Sequence, residues 1–423
     1  MSLPGRPTEG IPVSAERATP TQPLVGIRVL ELGHIVAGPT AGQILADLGA
    51  DVLKVESVDG GDQARRMPGA TATLFHFFNR NKRSIALDLK HPAGREAFLK
   101  LAAGCDVIVD NFAFGAVENL RIGYEVVSAT NPSLVWLAIK GFLPGPFERR
   151  PMLDELAQMM GGLAFMTGPA GKPMRAGASV IDVGAASYGA LGVFAALRQR
   201  DATGRGQRIV AGLYETSVYW VGQWMAVAQG MGAPSIPIPE IQQGTRMGWG
   251  VYQLFDTADG AQVFIGITSD GHWKKFCAAF EQPGWLADPR FVDNAARVAS
   301  RHELAVLVAG VVRELTSAVV QQRLDLAGVP FAPLQRPDQL AGDIHLLGSG
   351  QLLETPLGDG RTALLPKLPI RGSAFEMPLR RPAPSLGEQT REVLRELGYA
   401  DADIQALIDR GTALDGASGE KNA

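Results

Sequence analysis

A short apolar run, Ile27-Arg28-Val29-Leu30-Glu31-Leu32, leads through a turn into a helical stretch, Pro39 to Leu48. This strand-and-helix pattern indicates the fold class of the chain. The same alternation repeats along the chain. Further strands are predicted at 52–55, 84–89, 106–110 and 134–139, and an amphipathic helix at 92–103. Strands that alternate with helices of about 10–15 residues are typical of a largely parallel, helix-covered sheet. The sequence therefore predicts an α/β fold.

The composition of the 423-residue chain excludes several classes of protein. Hydrophobic residues make up 46% of it and charged residues 20%, which is too apolar a balance for a disordered chain. The formal net charge of −3 lacks the basic excess of nucleic-acid binders. Cys105 and Cys277 are too few for a disulfide framework or a zinc site. We expect a reducing compartment and no nucleic-acid partner.

No segment of the sequence has the pattern of a signal peptide or a membrane span. The N-terminal residues lack the apolar stretch of about 7–15 residues that a signal peptide contains. The most apolar run, Val183 to Leu197, is shorter than the roughly 20 residues that a membrane-spanning helix needs. We expect cytoplasmic localisation and no membrane partner.

Glycine and proline divide the chain into four predicted parts. They are a flexible arm at 1–22, the first part of a large α/β domain at 23–230, a linker with a small domain at 231–330, and a return crossing with the C-terminal part of the large domain at 331–423. Closely spaced prolines at Pro234, Pro237 and Pro239 mark the linker. Asp259-Gly260, between two apolar runs, predicts a hairpin in the small domain.

Standard motifs for cofactors, metals and nucleophiles are missing from the sequence. It contains no phosphate-binding P-loop, no HExxH zinc motif, and no ligand-like spacing among its six histidines. Gly33 to Gly38 lacks the glycine spacing of dinucleotide-binding turns, and Gly177 to Ile181 lacks the second glycine of a nucleophile elbow. We expect no metal ion and no tightly bound cofactor.

Polar loops after the predicted strands are the remaining candidates, because open α/β sheets bind their ligands there. These loops contain His34 to Ala37, Ser57 to Asp62, Lys90, and Asn111-Phe112. Each of these loops, taken alone, could equally be an ordinary polar loop without a functional role. The basic cluster Asn79 to Arg83 is typical of a solvated surface, but its cations could also hold phosphates by charge-assisted hydrogen bonds.

Asp182 lies between the small residues Gly177 to Ser179 and an apolar helix predicted from Val183. One interpretation makes it the N-cap of that helix, because a carboxylate there accepts backbone N–H groups. The other makes it a carboxylate nucleophile, whose small neighbours allow a ligand to approach closely. The two roles are compatible, and the residues alone leave both open.

Eight stretches, in order from about Pro23 to Gly411, resemble the class III coenzyme A-transferases, the CaiB/BaiF family. They are LVGIRVLELGHIVAGP (24–39), GADVLKVE (49–56), NKRSIALD (81–88), DVIVDNF (106–112), LDELAQMMGG (153–162), GASVID (177–182), GRGQRIV (204–210) and SLGEQT (385–390). A single stretch is only weakly specific for this family, whereas eight stretches in the order of the family are highly specific for it. The resemblance implies a large domain with a Rossmann-like parallel sheet, a smaller α+β domain, and two subunits interlocked ring through ring.

The resemblance also implies the residues of the site. Asp182 matches the catalytic aspartate of the family. The positions expected along coenzyme A are Val36, Ala37, Leu87, Lys90, Asn111, Phe112 and Ala113. Ser57 and Asn119 stand where the family frequently has arginines, so Arg65 or Arg66 is a candidate for holding the phosphates.

The function implied by the resemblance is transfer of coenzyme A from an acyl-CoA thioester, such as succinyl-CoA or acetyl-CoA, to a carboxylic acid. The expected intermediates are an aspartyl anhydride and an aspartyl thioester. We expect one substrate to be a small dicarboxylic acid, with Arg246 as the partner of its distal carboxylate; an ordinary surface role for Arg246 is the alternative. Backbone N–H groups within 244–250 and at the start of the Asp182 helix are the expected oxyanion donors.

Two other functions are alternatives to coenzyme A transfer. The racemase branch of the family has a histidine where this chain has Leu153 and a glutamate near Ser269, and without them a two-base proton exchange cannot take place. A non-catalytic acyl-CoA-binding protein is the second alternative, and the small-residue setting of Asp182 argues against it. Asp154 is the fallback nucleophile, and its alternative role is to orient its neighbours by hydrogen bonds.

Overall fold

The computed structural model describes residues 22–244 and 247–416 of the chain. Apart from Gln22, the arm predicted at 1–22 lies outside the described residues, and so does Arg246. The strands are β1 Arg28–Leu32, β2 Asp51–Glu56, β3 Lys82–Leu87, β4 Val107–Asp110, β5 Val135–Lys140, β6 Arg208–Gly212, β7 Val251–Asp256, β8 Gln262–Ile267, β9 Phe331–Pro333, β10 Leu352–Pro356, β11 Thr362–Pro366 and β12 Ala413–Leu414.

The α-helices come between and after these strands. They are α1 Ala37–Asp47, α2 Leu74–Asn79, α3 Pro92–Ala103, α4 Ala116–Asn119, α5 Tyr124–Thr130, α6 Asp154–Met160, α7 Leu163–Thr167, α8 Val180–Thr203, α9 Leu213–Met231, α10 Ile238–Gln243, α11 Asp270–Ala279, α12 Gly284–Ala287, α13 Asn294–Ala299, α14 Arg301–Arg313, α15 Ser317–Ala327, α16 Ile344–Gly348, α17 Thr390–Glu396 and α18 Asp401–Asp409. Short 3-10 helices lie at Gln63–Arg66, Gly69–Thr73 and Pro337–Gly342.

The main sheet of the described chain has the strand order β12-β3-β2-β1-β4-β5-β6. Strands β1 to β6 run parallel, whereas β12 pairs antiparallel with β3. The predicted α/β fold with a mostly parallel sheet is confirmed. The direction of the strand order reverses between β1 and β4, and ligands of open α/β sheets bind outside the carboxyl ends of the strands at such a switch point.

The main sheet is covered by helices on both faces, which explains why its central strands are nearly continuous apolar runs. Val29 in β1 belongs to a core that contains α1 and α8, and its neighbour Leu30 belongs to a second core with α3, α17 and α18. Adjacent residues enter different cores because successive side chains of a strand point to opposite faces. The two cores fix the positions of the loops at both edges of the sheet.

Within the described residues, α8 is the one helix that is long and apolar enough, by length and composition, to span a membrane. Half of its most apolar window is buried, and it packs against α1, β5 and β6. Core helices of folded proteins pass the same test, so this is weak evidence for a span. The contacts of α8 with the sheet account for its apolar sequence.

A smaller sheet has the antiparallel order β7-β8-β9. Strands β7 and β8 form the predicted hairpin, and Gly260 in its turn has a φ of +75°, a conformation that favours glycine. Side chains from α11, α14 and α15 cover this sheet with a core of its own. Strand β9 lies just past residue 330, so this sheet extends beyond the small domain predicted at 231–330, whose bounds remain a prediction.

The chain returns to the main sheet after the β10–β11 hairpin. Asn81, just before β3, holds the returning segment: its backbone N–H donates to the carbonyl of Arg381 at 3.0 Å, and its side-chain oxygen accepts the N–H of Arg380 at 2.7 Å. Strand β12 then pairs with β3, where Ala413 lies opposite Leu87. Residues from both ends of the described chain therefore complete the main sheet.

Candidate active site

The loops after β1 and β4 meet at the switch point of the main sheet. The backbone N–H of His34 donates to Asn111 Oδ1 at 2.9 Å, and Asn111 Nδ2 donates to the carbonyl of His34 at 3.0 Å. The imidazole of His34 stacks on the ring of Phe112, with ring centroids 5.0 Å apart. Ala113, the next residue, is exposed. The structure thus brings together two loops that were chosen separately in the sequence.

Val36 and Ala37 begin α1 directly after His34 and Ile35. Val36 is the N-cap residue and forms no side-chain cap, so the first N–H groups of α1 have no partner from its side chain. A Cβ atom on Gly38 would lie 2.6 Å from the Cα of Gly33, closer than two such atoms can approach. Glycine at both positions lets the loop fold back tightly before the helix begins.

A buried ion network fixes this loop from behind. The ammonium of Lys54 lies 2.6 Å from Glu31 Oε1 and 2.9 Å from Asp62 Oδ2, and it donates to the carbonyl of Gly33 at 2.8 Å. The other oxygen of Asp62 accepts the N–H of Ile35 at 2.9 Å, and Ile35 has a φ of +63°, which is uncommon for a branched residue. Burial alone would raise the pKa of Asp62, but the charge of Lys54 and the backbone donors lower this pKa to about 2.

The basic cluster Asn79 to Arg83 has a structural role. Arg80 pairs with Asp47 at 2.7 Å, and Lys82 pairs with Glu31 at 2.5 Å; all four side chains are at least 96% buried. Arg83 likewise pairs with carboxylates, and burial lowers the pKa of Lys82 to about 8. The expectation of a solvated surface is wrong for Arg80 and Lys82, because carboxylates from α1 and β1 meet them inside the protein. The same ion pairs leave these cations no freedom to hold phosphates.

Leu87 and Lys90 lie at the carboxyl edge of the sheet, at and just after the end of β3. The side chain of Leu87 is 1% exposed and belongs to the core. Lys90 is exposed, and its backbone N–H donates to Asp88 Oδ1 at 2.9 Å. Of these two residues, only Lys90 therefore presents a side chain to a ligand at this edge.

Arg65 and Arg66, the two candidates for holding the phosphates, differ in their surroundings. Ser57, which follows β2, is exposed. Arg65 is engaged, because its guanidinium binds both carboxylate oxygens of Glu56 at 2.8 Å and lies over the ring of Phe75. Arg66 is exposed and forms no ion pair with any residue that the structure describes. We retain Arg66 as the candidate phosphate ligand.

Lys140, at the end of β5, contacts the candidate site, although the sequence did not predict it there. Its ammonium pairs with Asp110 and donates to the carbonyl of Phe112 at 2.8 Å. Asp110 also accepts a hydrogen bond from the indole of Trp136 at 2.7 Å. Lys140 thereby fixes the loop after β4. The sequence did contain a signal for Lys140, because this lysine directly follows the apolar strand predicted at 134–139. That position lies at the carboxyl edge of the sheet, where ligands are expected.

Asp182 is the third residue of α8 and not its N-cap, which is Ser179. The capping role belongs to Asp154: one oxygen of its buried carboxylate accepts the N–H of Ile181 at 2.8 Å and of Asp182 at 3.0 Å. Gln158 donates to the other oxygen of Asp154. The N-cap interpretation of Asp182 is therefore wrong, because a neighbouring helix supplies the cap. The orienting role expected of Asp154 agrees with these hydrogen bonds.

The side chain of Asp182 is partly exposed and has no hydrogen bond within the part of the chain that the structure describes. Burial, and after it the negative charges of Asp154 and Glu155, raise the pKa of Asp182 to about 7. A carboxylate with this pKa is more basic than usual and is still largely ionised just above neutral pH. Such a group suits nucleophilic attack on a carbonyl.

Asp182 lies at the same edge of the sheet as His34 and Asn111. At the other end of α8, Arg200 pairs at 2.9 Å with Asp106, which immediately precedes β4 and marks the amino edge. Because a helix rises about 1.5 Å per residue, Asp182 is roughly 27 Å from Arg200 and therefore at the carboxyl edge. Across the described residues, no group of His, Cys, Asp or Glu is arranged to hold a metal ion.

Comparison with known proteins adds the following similarities. A family model described as CoA-transferase family III matches residues 24–390. The chain is 34% identical over 402 residues to succinyl-CoA–L-malate CoA-transferase beta subunit of Chloroflexus aurantiacus, covering 92% of this chain and 98% of that protein. It is 32% identical over 415 residues to formyl-CoA:oxalate CoA-transferase of Rhodopseudomonas palustris, with coverages of 92% and 97%.

A solved structure shares the fold. The crystal structure of a CAIB/BAIF family protein from Brucella suis matches this chain with a TM-score of 0.79 and 31% sequence identity. The match covers 89% of this chain and 100% of that chain.

Proposed function

The chain belongs to CoA-transferase family III, and from this premise we propose that it moves coenzyme A from an acyl-CoA donor to a carboxylic acid acceptor, with Asp182 as the nucleophile. The main support is a partly exposed carboxylate with a pKa near 7 at the ligand-binding edge of the sheet. Asp154 fixes its backbone by hydrogen bonds. Carboxylates placed in this way form covalent acyl intermediates in other enzymes.

The proposed reaction has four steps. The Asp182 carboxylate attacks the donor thioester, forms a mixed anhydride and expels the coenzyme A thiolate. The thiolate then attacks the aspartyl carbonyl of the anhydride, releasing the donor acid and leaving an aspartyl thioester. The acceptor carboxylate attacks this thioester, giving a second anhydride and free thiolate. Finally, the thiolate attacks the acceptor carbonyl, which forms the new acyl-CoA and restores the Asp182 carboxylate.

Each step exchanges one anionic nucleophile for one anionic leaving group, so no net proton is consumed. Water must be kept from the anhydride, because hydrolysis would lose the energy of the thioester. Asp182 has to be ionised at the start of the cycle, which the pKa near 7 allows at and above neutral pH. Nearby backbone N–H groups are the proposed donors to the oxyanion.

One substrate is proposed to be a small dicarboxylic acid. The two relatives are named for malate and oxalate, and both are dicarboxylic acids. Arg246 stays the proposed partner of the distal carboxylate, although it lies outside the described residues. A screen of mono- and dicarboxylic acids with succinyl-CoA and acetyl-CoA, followed by mass spectrometry, tests this; acceptance of monocarboxylic acids alone would contradict it.

The active form is proposed to be a dimer of interlocked subunits. Tyr188 and Leu191, one turn apart in α8, are 41% and 65% exposed, and Tyr219 in α9 is 73% exposed with its ring 5.6 Å from that of Tyr188. Neighbouring exposed apolar side chains of this size mark surfaces that bind other proteins. A second copy of the chain on this face would bury them.

The Asp182→Asn variant tests the nucleophile. An amide cannot form the anhydride, so transfer should fall by several orders of magnitude while the fold persists. Asp201→Asn, an exposed change near the other end of the same helix, is the matched control and should retain activity. Hydroxylamine added during turnover of the wild-type enzyme should convert Asp182 to a hydroxamate, about 15 Da heavier than the carboxylic acid. A fully active Asp182→Asn enzyme, or an adduct on Asp154, would contradict the assignment.

A further inference from the structure

The imidazole of His34 lies between the two segments proposed to bind coenzyme A, and no step of the proposed reaction uses it. Both sides of its backbone are fixed. Asn111 binds its N–H and its carbonyl at 2.9 and 3.0 Å, and Asp62 holds the next residue, Ile35, at 2.9 Å. Such fixation of a loop residue is typical of side chains that must keep one orientation.

The ring of His34 packs against an aromatic neighbour. It stacks on Phe112 with 14° between the ring planes. Burial, and after it the positive charge of Lys54, lowers the pKa of His34, so the imidazole is neutral at neutral pH and carries a single proton.

The surroundings of the two ring nitrogens decide where that proton resides. Nδ1 is buried and has no hydrogen-bond partner among the residues described by the structure. A proton there would be a buried donor without an acceptor, which is costlier and rarer than an unpartnered acceptor. The proton therefore belongs on Nε2. That nitrogen is not enclosed as Nδ1 is, and no described residue accepts from it.

We propose that His34 donates a hydrogen bond from Nε2–H to an amide carbonyl of the pantetheine arm of coenzyme A, with the stack on Phe112 fixing the direction of the donor. An uncharged N–H group suits an uncharged amide oxygen, whereas it would add little to binding of the phosphates. This inference rests on the proposed function, because it needs coenzyme A in the crevice beside Asn111 and Phe112.

Two variants separate the hydrogen bond from the packing of the ring. His34→Phe keeps an aromatic ring on Phe112 and removes the donor, and His34→Gln restores an N–H donor without the ring. The dissociation constant of free coenzyme A is measured by calorimetry, and kcat and KM are measured with succinyl-CoA and an acceptor acid. We expect His34→Phe to weaken coenzyme A binding about tenfold, with kcat within about threefold of wild type, and His34→Gln to recover most of the loss.

Several outcomes would overturn the inference. They are wild-type affinity in His34→Phe, an equal loss of affinity in both variants, and a fall of kcat without a change of affinity. Wild-type enzyme with isotope-labelled histidine supplies a test that needs no variant to fold: the Nε2–H resonance of His34 should shift on addition of coenzyme A, and an unchanged resonance contradicts the hydrogen bond. Wild-type protein that neither binds nor transfers coenzyme A would instead overturn the proposed function.

Discussion

One oxygen of the Asp154 carboxylate in α6 accepts the backbone N–H of Asp182 at 3.0 Å. Two carboxyl groups therefore lie at the first turn of α8, one from each helix. Asp154 stabilises that turn, because it binds N–H groups that have no partner inside the helix. Its negative charge also adds to burial in raising the pKa of Asp182. A single residue therefore both positions the proposed nucleophile and adjusts its basicity.

Asp154→Asn should move the pH dependence of transfer to lower pH. With a pKa near 7, the ionised fraction of Asp182 rises with pH through that value, and kcat/KM should rise with it. Asparagine still offers an oxygen to the helix but no charge, so the pKa of Asp182 falls and the acid limb shifts down. Glu155→Gln is the control with the smaller effect, because Glu155 is about half exposed. An acid limb that does not move in Asp154→Asn would contradict this coupling.

Asp62→Ala should destabilise the protein by about 3–5 kcal/mol, because it removes a partner from the fully buried ammonium of Lys54. It also releases the N–H of Ile35, so the loop before α1 should loosen. Urea unfolding measures the loss. Asp338→Ala provides the comparison, since its ion pair with Arg336 is exposed to solvent and should contribute little to stability. Equal losses in the two variants would mean that the buried network adds no special stability.

Sedimentation should show a single species of twice the 44.9 kDa chain mass over a wide range of dilution. Interlocked subunits separate only when a chain opens, so dilution alone should release no monomer. Leu191→Asp, on the proposed interface, should prevent normal assembly. Leu326→Asp, at a site 82% exposed on the smaller sheet's helix α15, should not. A monomer that exchanges freely between dimers would rule out the interlocked arrangement.

No racemase activity is expected. Leu153 is 63% exposed and cannot take a proton, and the hydroxyl of Ser269 accepts the N–H of His272 as the N-cap of α11. A 2-methylacyl-CoA incubated with the enzyme in heavy water should therefore gain no deuterium at its α-carbon, as measured by mass spectrometry. Exchange of the α-hydrogen for deuterium at a rate close to that of transfer would support the racemase alternative instead.

The central strands were predictable from the sequence because burial on both faces makes them continuous apolar runs. Strand β4 at Val107–Asp110 lies within the predicted run, and α3 at Pro92–Ala103 has the bounds predicted for the helix. Strand β12 was not predictable, since Ala413 and Leu414 are extended only because they pair with β3. A strand of two residues has no periodicity of its own.

The charged residues of the site were harder to interpret than the apolar ones. Arg80 and Lys82 have the local sequence of a surface, and their burial depends on Asp47 and Glu31, which are distant in the chain. The cap that Asp154 places on α8 likewise joins two helices, α6 and α8, that are separated in the chain by α7 and a loop. Such pairings follow from the assembled fold, so the sequence could identify the candidate residues but not their partners.

The pairing of Ala413 with Leu87 has a consequence for the synthesis of the protein. A ribosome adds about 5–20 residues per second, so the edge of β3 waits on the order of tens of seconds for its last neighbour to be made. Until then the main sheet lacks its edge strand β12, and an unpaired strand edge is open to other chains. That interval is when a second copy would have to pass through the first. Interlocked subunits would therefore have to form during or soon after translation, and not by the meeting of two finished proteins.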